Sequence, residues 1–118
     1  MARRTETPRM TGHDDDVVLD LIADNAAAWA RFGRAVALVD EDKAKADGRK
    51  ITPADQAEYD AANEAERKTF RALLAFPTLH FVAARTKVAW IQLHLSLGDH
   101  LEHEEVDLLL GSMATRVE

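Results

Sequence analysis

Apolar side chains recur along the first third of the chain at alternating steps of three and four. They are Val18, Ile22, Trp29, Phe32, Val36 and Val39, with Asn25 standing inside the series. That spacing lays one stripe along a helix. Asp20, Asp24, Arg31 and Arg34 fall away from it. Asp14, Asp15 and Asp16 open the segment, where carboxylates suit free N–H groups and the positive end of the helix dipole. The period runs to about Lys43, and Asp47-Gly48 offers a stop with glycine in the left-handed position. A helix over 15–46 would be about 48 Å long.

Thr52-Pro53-Ala54-Asp55 predicts the next helix start. Threonine caps, proline suits the first helical position, and the acid three residues on completes a capping box. This second helix is expected to reach about Ala75. Ala54, Ala57, Ala61, Ala65 and Ala72 form a ridge of small residues beside Tyr59, Ala62, Phe70 and Leu73. The ridge predicts close packing against helix 1 in an antiparallel hairpin. Phe76-Pro77-Thr78 breaks the chain, because proline disfavours helical geometry in the residue before it. A third helix is expected over 79–97, with Gly98 as its stop and Asp99 capping a short last helix. No paired apolar runs flank a hairpin turn. The expected fold is all-α: a helical bundle of about four helices built on a long antiparallel hairpin. Residues 14–118 form its single domain, and residues 1–13 read as a disordered polar tail.

The third helix carries two apolar stripes. Leu79, Val82, Trp90, Leu93 and Leu97 form one, with Thr86 among them. Phe81, Ala84, Val88, Ile91 and Leu95 form the other, nearly opposite. A surface helix needs only one. A helix apolar on both sides is either central in a closed monomeric bundle or shared with another chain; the second stripe is expected to be an interface, in a two-fold homodimer or with a protein partner. Val106, Leu109, Leu110 and Met113 offer a second docking element. Asn25 suits a position that fixes helix register or bonds a backbone carbonyl.

Composition narrows the function. The chain has 118 residues, no cysteine and a net charge of −6. Lack of cysteine excludes disulfides, thiolate metal sites and a cysteine nucleophile. The acidic balance opposes general nucleic-acid binding and attraction to anionic membranes. No apolar run approaches the roughly 20 residues of a membrane span. The N-terminus lacks the apolar stretch of a signal peptide, so a cytoplasmic location is expected. There is no Gly-x-Ser-x-Gly elbow, no Gly-x-Gly and no phosphate-binding loop. The densest set of metal-type ligands is His100-Leu101-Glu102-His103-Glu104-Glu105. On a helix, His100, His103 and Glu104 would project to one side and offer imidazole and carboxylate to zinc or iron. The spacing is neither His-Glu-x-x-His nor the Glu-x-x-His of carboxylate bundles. His80 and His94 read as partly buried structural histidines.

The stretches Asp60-Ala61-Ala62-Asn63-Glu64-Ala65-Glu66, Leu73-Leu74-Ala75-Phe76-Pro77-Thr78 and Ala83-Ala84-Arg85-Thr86-Lys87 resemble small uncharacterised helical proteins of bacterial genomes and prophages. The resemblance covers about residues 17–95 and implies a hairpin-based helical fold and a bacterial origin, with no activity or catalytic residue attached. The expected function is a non-enzymatic interaction or scaffold protein that self-associates and binds a protein partner. Two alternatives stand beside it: a small metal-binding protein or metalloenzyme using the His/Glu cluster, and a prophage or defence-related regulator.

Overall fold

The computed structural model describes residues 10–78 and 80–114, without the side chains of 10–14 and 114. Among the described residues five helices follow one another: α1 (Met10–Leu38), α2 (Glu41–Ala46), α3 (Pro53–Ala75), α4 (Phe81–Ser96) and α5 (His103–Ala114). No strand occurs among the described residues, so the fold is all-α. Residues 1–9 of the expected tail lie outside the described residues, and the helix already includes 10–13.

Two compact units divide the chain, with boundaries inside α1 and α3. The first joins the segment up to Ile22 to everything from Arg71 onward; the second is Ala23–Phe70.

The second unit is a helical hairpin. Asn25 lies across from Glu66 and Thr69, and Arg31 across from Glu58, so α1 and α3 run antiparallel. Asn25 is fully buried. Its amide donates to the Glu66 carbonyl (3.1 Å), the Glu66 carboxylate (3.3 Å) and the Thr69 hydroxyl (2.9 Å). These bonds remove the penalty of a buried amide. Arg31 and Glu58 form a two-pronged pair at 2.8 and 2.9 Å, and the Phe32 and Tyr59 rings meet at 5.5 Å. The pair raises the Arg31 pKa and lowers that of Glu58, in each case chiefly through the hydrogen bond.

Two expectations change here. The first helix does not run to Ala46. It ends at Leu38, and Asp40 starts α2 by accepting from the N–H groups of Asp42 and Lys43. A carboxylate read as part of one helix is the N-cap of the next. The alanine ridge of α3 does not form the packed face either. Ala54, Ala57, Ala61 and Ala72 are exposed, whereas Ala62, Glu66 and Phe70 are buried. Burying the phenyl ring of Phe70 removes far more apolar area from water than an alanine methyl, and that sets the rotation of α3.

The start signal of α3 and the two glycine stops act locally as read. Thr52 and Asp55 exchange side-chain to backbone bonds of 3.0 and 3.1 Å, the capping box of α3. Gly48 (φ 71°) and Gly98 (φ 100°) adopt left-handed backbone after α2 and α4. Gly98 N–H donates to Leu95 and Asp99 N–H to His94, closing the last turn of α4. A Cβ at Gly98 meets nothing within 4 Å. Gly98→Ala is therefore expected to cost only its backbone strain, about 1–2 kcal/mol in a denaturant midpoint series.

In the first unit, Val18, Leu73 and Ala83 form a buried core with Leu21, Ile22, Phe76 and Trp90 packed on it. Glu105 is fully buried on α5; it accepts from Arg71 at 2.9 Å and from the Glu102 N–H at 2.9 Å. One carboxylate thus caps α5 and ties it to α3. Asp99, expected as that cap, instead accepts from the His94 ring (3.0 Å) and the His100 N–H (2.8 Å).

Candidate functional site

The face of α4 turned inward is Ala83, Lys87, Ile91 and His94. Residues at steps of four, four and three share one side of a helix. Two of the four are polar. Lys87 is 2% exposed, and its ammonium donates to Leu74 O (2.8 Å), Phe76 O (2.9 Å) and Ser112 Oγ (2.8 Å). Three donors meet three acceptors, two of them carbonyls at the C-terminal end of α3, where positive charge is favoured. The last turn of α3 has no basic residue of its own. Burial still pushes the Lys87 pKa down, to about 8. His94 is fully buried, bonds Asp99 and lies edge-on to Trp90 at 5.7 Å.

With the inner face occupied this way, both apolar stripes of α4 become flanks. On one flank Phe81 (73% exposed), Val88 and Leu95 face solvent and Ala84 is half-buried. Ile91 departs from its expected place in this set, because it belongs to the buried side. On the other flank Val82, Leu93 and Leu97 (66% exposed) face solvent and Trp90 is half-buried. Six large apolar side chains are thus exposed within 81–97. On α5, Leu110 and Met113 are exposed as well.

Between α1 and α4 the second flank opens into a groove of about 470 Å³, lined by Leu19, Ile22, Val82, Thr86, Ala89 and Trp90, with Arg85 among its walls. The Arg85 guanidinium lies 5.6 Å over the Phe81 ring, a cation–π contact, and makes no ion pair among the described residues.

The histidine cluster is not gathered into a metal-type group. His100 lies before α5, 3.6 Å from Glu102; His103 opens the helix and lies 3.5 Å from Asp107 one turn on. The ligand atoms of His100, His103 and Glu104 are not brought within 4.8 Å of one another. His100 cannot share their helical side, because Asp99 bonds its N–H in the connection ahead of the helix.

Sequence reasoning counted the two apolar stripes and expected an interface on the second alone; it missed Lys87, which takes the inner face from both. The period 83, 87, 91, 94 places Lys87 and His94 on one side with Ala83 and Ile91, but the spacing does not mark that side as the inner one. No helix of the described residues is long and apolar enough to cross a membrane. No protein-family model, curated protein or solved structure matches the chain.

Proposed function

We propose that this protein is a non-enzymatic interaction module that self-associates and binds a protein partner through the two flanks of α4. The observation that carries this reading is the inversion of α4: lysine and histidine point inward, while Phe81, Val82, Val88, Leu93, Leu95 and Leu97 face water. Leaving such surface open in water is unfavourable at roughly 25 cal/mol per Å², and a partner surface recovers that free energy. The Phe81–Val88–Leu95 flank is the one we assign to a protein partner. Its residues recur every seven positions, the repeat of a helix-to-helix seam. A cytoplasmic place, where a chain without cysteine loses nothing, and a bacterial origin complete the proposal.

Native mass spectrometry of the gently purified full chain tests it. The expected spectrum holds a mass of two chains together with a complex containing a second protein. Val88→Asp with Leu95→Asp should remove the second protein and leave the pair of chains. A spectrum of bare single chains at micromolar concentration would end the proposal.

A further inference from the structure

If α4 mediates self-association, as proposed above, the groove flank has the properties of a surface that fits its own copy. An interface between identical chains about a two-fold axis must be self-complementary: whatever a residue contacts, its counterpart contacts in return. Three features of the first unit meet that demand. Its apolar hollow is lined by Leu19 and Ile22 on α1 and by Val82, Thr86, Ala89 and Trp90 on α4. Exposed apolar side chains stand beside it, Leu93 on α4 and Leu19 itself on the wall. Finally, the two rims carry opposite charge. Arg85 marks the α4 rim, while the outer side of α1 carries Asp16 and Asp20, both exposed, within a turn of Leu19.

A two-fold axis running along the groove brings these features into register. It sets α4 of each copy over α1 of the other, so the two hollows face each other across the axis and the apolar side chains on their walls meet. Rotation about that axis leaves positions along the helices unchanged. Arg85 lines the same groove as Leu19 and Ile22 in its own copy. The rotation therefore brings it to the α1 wall of the second copy's groove, whose outer side carries Asp16 and Asp20. The contact forms twice, once for each copy.

We infer that the groove between α1 and α4 is the site of a two-fold dimer, in which apolar side chains of each copy fill the groove of the other and Arg85 pairs with the Asp16–Asp20 side of α1 in the second copy. The guanidinium lies over the Phe81 ring and makes no ion pair among the described residues. The Phe81 flank offers no such reciprocity, because α4 contains no acidic residue to answer the arginine.

The test is a charge exchange read by sedimentation equilibrium and native mass spectrometry. Arg85→Glu alone, and Asp16→Arg with Asp20→Arg alone, each place like charges together twice per dimer. Each should weaken the dimer by roughly a hundredfold. Mixed in equal amounts, the two variants should form a one-to-one heterodimer, because one contact then has its native signs and the other has them reversed, and both are attractive. Circular dichroism of each variant checks that it is folded before mixing. Undiminished dimerisation of Arg85→Glu would overturn this assignment while leaving self-association in place. A mixture that stays monomeric would overturn it too. A wild-type chain that is monomeric would remove the assignment and the self-association reading together.

Discussion

Lys87→Ala should lower the unfolding free energy by about 3 kcal/mol at pH 7, since a cavity opens and buried acceptors lose their donor. The Leu74 and Phe76 carbonyls are the groups at stake; the Ser112 hydroxyl still donates to Leu109 at 2.7 Å. Lys87→Met should cost less, because it fills the space and introduces no charge. A pH series separates the charge from the packing. The native pKa of Lys87 is depressed to about 8 from an ordinary 10.5. Between those values the unfolded chain holds a proton that the folded chain has lost, so stability rises with pH across that window. The gain should approach about 3 kcal/mol relative to Lys87→Met, since every pH unit that separates the folded from the unfolded pKa corresponds to about 1.4 kcal/mol. Below pH 8 the two curves should run parallel. The neutral amine retains two N–H groups for the two carbonyls, so deprotonation does not unmake the contact. Parallel curves through pH 10 would show that Lys87 is not desolvated as described.

Leu73→Ala should lower stability by about 3 kcal/mol in urea unfolding. Leu73 is fully buried and packs with Val18 and Ala83 under Leu21, Ile22, Phe76 and Trp90. Leu73→Met, which conserves volume, should stay within about 1.5 kcal/mol of the wild type. A loss below about 1 kcal/mol for the alanine variant would mean that the core of the first unit is loosely packed. The exposed flanks of α4 would then need another explanation.

The signals that could be read in advance were those whose physics is local. Thr52-Pro53-Asp55 opens α3 and Gly98 ends α4, because a cap or a positive φ depends on a few neighbouring residues. The break at Asp40 escaped, because the apolar period continues past it and an acid serves a helix surface as well as a cap. The rotation of α3 escaped for a related reason. A ridge of alanines is compatible with close packing, but what is buried is decided by Phe70, Leu73 and the polar pair Asn25 and Glu66. The candidate surface was half legible. Two stripes on α4 can be counted from the sequence; that neither is the inner face cannot. That fact depends on Lys87 finding three acceptors on α3, on the residues after it and on α5, and such long-range satisfaction leaves no periodic trace.

Lys87 has a counterpart in Arg49. Neither α1 nor α3 has a basic residue in its last turn, and each is finished by a cation from later in the chain. Arg49 donates to Ala37 (3.1 Å) and Leu38 (3.2 Å), as Lys87 does to Leu74 and Phe76. Neither end can be completed until the next segment has folded back onto it. The central turns of α1 and α3 can thus form early, while their C-terminal turns must wait for α2's trailing loop and for α4. Amide exchange should record that order: protection in the last turn of α3 belongs to the same cooperative opening as α4, and not to the rest of its own helix.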